Sequence, residues 1–173
     1  MAGIKELDTH SRVWVYQSNR EFTSDEAEKI QAALDNFTSG WAAHGNQLVA
    51  GAELRYRRFI LLAVDEAKAG ASGCSIDSSV RFIKGLEQEY HIDLMDRMLF
   101  ATREAEMVKV YNRAAFEDAI EKGRITGETH VFNNLVKDKG ELDAAWEIPL
   151  SQSWHASFFS GNLARAAEGS RSK

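Results

Sequence analysis

Residues 70–82, Gly-Ala-Ser-Gly-Cys-Ser-Ile-Asp-Ser-Ser-Val-Arg-Phe, are the stretch around which the chain is organised. They follow a continuous apolar run, residues 59–64, which is typical of a strand covered on both faces. They also open a helical repeat of apolar residues at Ile76, Val80, Ile83 and Leu86. The i, i+4, i+7 spacing predicts an amphipathic helix, and Ser75 is predicted to cap it. The stretch therefore predicts a strand, a loop of small residues and a helix in succession.

The patterns before and after this stretch predict an α+β fold. Residues 13–16 and 48–56 read as strands, a Thr23-Ser24-Asp25-Glu26 capping box begins a helix, and residues 98–111 read as a hairpin. Residues 12–111 thus have the split β-α-β order of ferredoxin-like domains, with one extra strand. Because the first and third strands, 13–16 and 59–64, are apolar on both faces, they are predicted to be central. The second strand alternates apolar and polar residues and is predicted at an edge.

The rest of the chain is predicted to complete the same globule. Residues 112–160 are rich in Phe and Trp, and we expect them to form a C-terminal extension that covers the open face of the sheet. A homodimer that buries this face is the alternative. Residues 161–173 are small and polar, so they are predicted to be a disordered tail.

Composition limits the functional classes. The 173 residues, 44% of them hydrophobic, suffice for one globular domain with a sizeable core. The charge of 21 minus 26, or −5, argues against nucleic acid as a partner. A lone cysteine cannot form an internal disulfide, and no apolar run reaches the roughly 20 residues that span a membrane. The first residues lack the apolar run of a signal peptide, so we expect a cytoplasmic protein.

The loop of small residues is the predicted binding site. Helix starts expose backbone N–H groups and carry a positive partial charge, which favours anions. Asp77, placed in the first turn, would oppose a phosphate, so a well-capped helix is the simpler interpretation. A small molecule or a protein partner would contact Ser72, Gly73, Ser75 and Ser78.

Cys74 is the candidate for chemistry. A cysteine just before a helix start can have a favoured thiolate and act as a nucleophile. In that case Asp77 or Asp65 would orient the site and a histidine such as His130 would be the base. We expect instead that Cys74 is largely buried between strand and helix, as most free cysteines are. No Cys-x-x-Cys, no pair of histidines at i, i+4 and no phosphate-binding P-loop occurs, so we predict no metal, no cofactor and no P-loop ATPase.

Several segments resemble a small family of uncharacterised bacterial proteins of about this length. The resemblance spans nearly the whole chain after residue 11, and it rests on RFILLAVDE (58–66), ASGCSIDSSV (71–80), FNNLV (132–136) and the segment from Trp146 through Pro149 to Ser153-Trp154. Some members are labelled ABC transporter ATPases. This chain has neither the phosphate loop nor the Leu-Ser-Gly-Gly-Gln signature of that class, so the label is not transferred. The resemblance implies no established activity, but it points to the same loop and adds Asn133 and Asn134 as polar residues facing it.

Two classes of function follow from the sequence. The first is a non-catalytic cytosolic module that binds a partner or a small ligand near residues 70–79. The alternative is a cysteine-dependent hydrolase or transferase that uses Cys74.

Overall fold

The computed structural model describes residues 3–172 of the chain. Helices and antiparallel sheets both contribute, which confirms the predicted α+β class. The described residues divide into two compact units: residues 3–96 with 134–143, and residues 97–133 with 144–172. This division differs from the predicted boundary at residue 111, because the hairpin before that residue groups with the second unit and residues 134–143 group with the first.

The elements follow one another in a regular order. The strands are Arg12–Gln17 (β1), Ala42–Ala43 (β2), Asn46–Gln47 (β3), Val49–Arg55 (β4), Phe59–Asp65 (β5), Leu99–Glu104 (β6), Met107–Asn112 (β7), His130–Phe132 (β8) and Glu147–Pro149 (β9). The α-helices are Ser24–Gly40 (α1), Gly73–Tyr90 (α2), Arg113–Glu121 (α3), Lys139–Ala145 (α4), His155–Phe158 (α5) and Ser160–Arg171 (α6). Short 3-10 helices span Ile4–Glu6 and Leu150–Gln152.

The main sheet of the first unit has the order β1-β5-β4, and both pairings are antiparallel. The central place of β5 is confirmed, because its residues from Phe59 to Val64 are fully buried. The central place predicted for the first strand is wrong, since β1 is an edge of this sheet. Residues 137–139 lie beside it, and the Val13 N–H donates to the Lys137 carbonyl at 2.9 Å.

The predicted ferredoxin-like order holds only for β1, β4 and β5. Its fourth strand would have to follow α2 and pair with β1. The strand that does follow α2, β6, pairs instead with β7 on one side and with β8 on the other. Both of its edges are thus occupied in a second sheet, whose order is β7-β6-β8-β9.

The helices α1 and α2 pack on one face of the first sheet. Ile30 and Leu34 of α1 and Ile83 and Leu86 of α2 share a core with Ile60 and Leu62 of β5. The predicted capping box at Thr23 is confirmed, with the Thr23 hydroxyl accepting from the Glu26 N–H at 3.2 Å. This local signal fixes where α1 begins.

The second unit buries an aromatic core between its sheet and helices α3 and α6. Phe100, Phe116 and Phe159 are each at most 2% exposed and contact one another. The disorder predicted for residues 161–173 is wrong for most of that range, because α6 extends from Ser160 to Arg171 and packs Leu163 and Ala166 against this core. Lys173 lies outside the described residues.

Candidate functional site

The helix α2 begins earlier than predicted, and its cap is Ser72 rather than Ser75. The Ser75 N–H donates to the Ser72 hydroxyl at 3.2 Å, and the Ser72 N–H donates to the Ser75 hydroxyl at 2.7 Å. These reciprocal bonds form a capping box in which a serine takes the third helical position, where Glu or Gln is usual. The prediction missed it because the pattern lacks that Glu or Gln.

The start of α2 is fixed to the rest of the first unit by Trp41. Its indole Nε1 donates to the Ser75 carbonyl at 2.8 Å, and the ring is 2% exposed. A buried indole N–H needs an acceptor, and this carbonyl supplies it. The centroid of the Trp41 ring lies 5.9 Å from that of Trp14 and 5.1 Å from that of Phe37. Phe37 in turn stacks on Phe82 of α2, with the ring centroids 4.4 Å apart. This aromatic column holds the first turns of α2 in place.

Cys74 is exposed, so the prediction that it is buried is wrong. It is the second residue of α2 and lies on the side of the helix away from the buried positions Ser75, Ser79, Ile83 and Leu86. Gly73, Asp77 and Arg81 are exposed on the same side. We call these four residues, Gly73, Cys74, Asp77 and Arg81, the α2 surface.

The predicted ligand-binding serines use their hydroxyls within the chain. The Ser75 hydroxyl donates to the Ser72 carbonyl at 2.9 Å, and the Ser78 hydroxyl donates to the Ser75 carbonyl at 2.7 Å. Together with the capping box, these bonds engage the hydroxyls of Ser72, Ser75 and Ser78 with backbone groups of α2 and its cap. Asp77 is the fifth helical residue and lies beyond the first turn, so it does not complement the helix start as predicted.

The residues predicted for cysteine chemistry are only partly brought together. Asp65 ends β5 and accepts a hydrogen bond from the Ala67 N–H at 3.0 Å. His130 is exposed and opens β8, in the second unit, whereas Cys74 belongs to the first. In the described part of the chain, the Cys74 sulfur has no hydrogen bond to Asp65, Asp77 or a histidine. His44 lies at the tip of the β2–β3 hairpin in the same unit as Cys74, and β2 contacts α2.

Asn134 does not face the loop, contrary to the prediction. Its side-chain Nδ2 donates to Gln17 Oε1 at 2.8 Å, at the end of β1 that pairs with Phe59. The loop follows Asp65, at the other end of β5. The two ends of this six-residue strand pair lie about 20 Å apart, so Asn134 is far from the loop. Asn133 belongs to the second unit, where its N–H donates to the Trp146 carbonyl at 2.6 Å.

Ser153 and His155 form a buried pair in the second unit. Ser153 Oγ and His155 Nδ1 are 2.8 Å apart, and His155 is 1% exposed. Trp154 stacks on the imidazole, with the ring centroids 3.9 Å apart. Burial lowers the pKa of His155 to about 4. A substrate cannot reach a side chain so fully enclosed, so this pair stabilises the core and is not a catalytic dyad.

No protein-family model, curated protein or solved structure matches this chain. The resemblance to uncharacterised bacterial proteins therefore stays a prediction. Within residues 3–172, no three His, Cys, Asp or Glu side chains are grouped to hold a metal ion. No helix of that range is both long and apolar enough to cross a membrane.

Proposed function

We propose that this chain is a non-catalytic cytosolic module that binds a protein partner through the α2 surface. The proposal rests on one observation: at the start of α2 the side chains are exposed while the backbone is held in place. Gly73, Cys74 and Asp77 face solvent, while the capping box and the Trp41 bond hold the backbone beneath them. A surface that is ordered before binding loses little conformational entropy on association.

A protein partner fits this surface better than a small ligand. The hydroxyls of Ser72, Ser75 and Ser78 already form hydrogen bonds with backbone groups, so they offer few further hydrogen bonds to a small molecule. Gly85 lies eleven residues after Cys74, which is almost the same angular position on a helix. It is exposed, and a Cβ at this position would meet no atom within 4 Å. Glycine costs about 1 kcal/mol in a helix interior, and no described residue of this unit comes close enough to require it. A close approach by a partner's backbone accounts for it.

Site-specific photo-crosslinking in the cells that make the protein tests this proposal. A benzophenone amino acid replaces Arg81 in one variant and Glu28, an exposed residue of α1, in the matched control. We expect one discrete protein adduct from position 81, none from position 28, and loss of the adduct when Gly85→Trp blocks the surface. Equal adducts from both positions, or an adduct that survives Gly85→Trp, would contradict the proposal.

The exposure of Cys74 favours a second candidate, a cysteine-dependent hydrolase or transferase. A thiol exposed in the first turn of a long helix is accessible to an electrophile and can act as a nucleophile. The base would be His44, because His91 caps the far end of α2 and His130 lies in the other unit.

The rate of Cys74 alkylation by iodoacetamide at pH 7 separates the two candidates. The enzyme predicts that alkylation of the native protein is fast, that His44→Asn slows it and that His130→Asn does not. The binding module predicts the same rate in all three proteins.

A further inference from the structure

In the part of the chain that the structure describes, three of the four edges of the two main sheets are protected against pairing with another strand. Residues 137–139 lie along β1 in the first sheet. At β4, the side chain of Gln31 accepts from the Leu54 N–H at 2.9 Å and donates to the Ala52 carbonyl at 3.3 Å. In the second sheet, β9 has only three residues and ends at Pro149, the only proline of the chain. Covering segments, short strands and proline are the usual means of protecting an edge.

The fourth edge, β7, has none of these protections. It is six residues long, contains no proline and, among the residues that the structure describes, pairs only with β6. Met107 is 71% exposed at its start. Lys109 is its one charged residue, but the ammonium lies 5.1 Å from the centre of the Tyr111 ring instead of extending over the edge. An open edge of this length is a template for another strand.

We infer that β7 pairs antiparallel with β7 of a second copy of this chain, about a two-fold axis at Val110. The occupant is a second copy because the edge complements itself. The single positive charge of the edge, Lys109, already contacts the Tyr111 ring, so the edge has no free positive charge to attract an acidic peptide. An isologous contact of this kind closes on itself and gives a dimer.

The register follows from the alternation of side chains. Residues that face each other across an antiparallel pair point to the same side of the sheet, so a symmetric pairing must centre on a residue. A centre at Lys109 would put like charges opposite each other, which is destabilising. A centre at Val110 places each Lys109 opposite the partner's Tyr111 and repeats the cation–aromatic contact seen within the chain. The inference is independent of the function proposed for the α2 surface.

Disulfide trapping in the full chain tests both the edge and the register. Cys74→Ser first removes the exposed native thiol, and Val110→Cys or Val108→Cys is then added; both valines are half-buried on β7. Residues at the two-fold axis lie about 4.5–5.5 Å apart, within the range of a disulfide. The two copies of residue 108 would be four residues out of register, about 14 Å apart. We expect a disulfide-linked dimer from Val110→Cys under mild oxidation and little from Val108→Cys.

Sedimentation at increasing concentration gives a second readout without cysteine. We expect Cys74→Ser to self-associate, the added change Val110→Lys to abolish association, and Val108→Lys to preserve it. Thermal melts identify any variant that does not fold. A chain that stays monomeric at every concentration, or disulfides that form equally at both positions, would overturn the inference.

Discussion

The pKa of His155 makes the stability of this protein sensitive to mild acid. Burial lowers that pKa from 6.5 to about 4, so the folded chain keeps a neutral imidazole where the unfolded chain is protonated. Between these two values the unfolded state binds more protons, and stability therefore falls as the pH falls. For one such group the free energy of unfolding should drop by about 2 kcal/mol from pH 7 to pH 5, and by about 3 kcal/mol below pH 4.

Urea denaturation at pH 7 and pH 5 measures this loss, and His155→Gln is the control. Glutamine retains polar atoms for Ser153 but does not titrate, so the variant should be less stable at pH 7 and nearly indifferent to pH over this range. Glu26 contributes little to the pH dependence over this range: the hydrogen bond from Arg20 lowers the pKa of Glu26 to about 2, so the stability from that ion pair is lost only below about pH 4.5. The same pH dependence in His155→Gln as in the natural chain, or an NMR titration of His155 near 6.5, would refute the reasoning.

Further changes test the elements around the site by urea denaturation. Ser72→Ala should lower the free energy of unfolding by about 1 kcal/mol through loss of the helix cap, whereas Ser157→Ala, which removes a hydroxyl with no role in a cap, should have little effect. Gly85→Ala should raise it by about 1 kcal/mol, because the added Cβ has open space; no gain would show that the helix is irregular there. Gln31→Ala should lower it by about 1–3 kcal/mol and promote aggregation, because the β4 edge loses its cover; unchanged solubility would contradict the second half.

Signals contained within a few residues predicted structure well. The Thr23-to-Glu26 capping box locates the start of α1, and the Asn112 side chain caps α3 in the same local way, accepting from the Ala115 N–H at 2.8 Å. The hairpin of β6 and β7 is confirmed for the same reason, since its turn and alternation are local. The buried position of β5 also follows from its own residues, because only a strand with both faces covered can be apolar throughout.

Features that depend on distant residues were not predictable from one sequence. Nothing in β6 indicates that Thr102 will pair with Val131, yet this pairing removes the fourth strand from the predicted ferredoxin-like sheet. Likewise, the role of Trp41 depends on a carbonyl 34 residues later in the chain. Two other features do have local signals: Asp138 lies three residues before Glu141 at the start of α4, and Leu163 and Ala166 stand at helical spacing in α6.

The position of Cys74 shows how one cap assignment changes a functional interpretation. If Ser75 were the cap, Cys74 would precede the helix, and its side chain could turn inward between β5 and α2. With Ser72 as the cap, Cys74 is helical, and the 100° turn per residue fixes its direction. Ile83, which is 0% exposed, comes nine positions after Cys74, and nine steps of 100° place the two side chains on opposite sides of the helix. The apolar repeat that predicts α2 thus also requires an exposed thiol, and it is this exposure that makes Cys74 available to a partner, a substrate or an alkylating reagent.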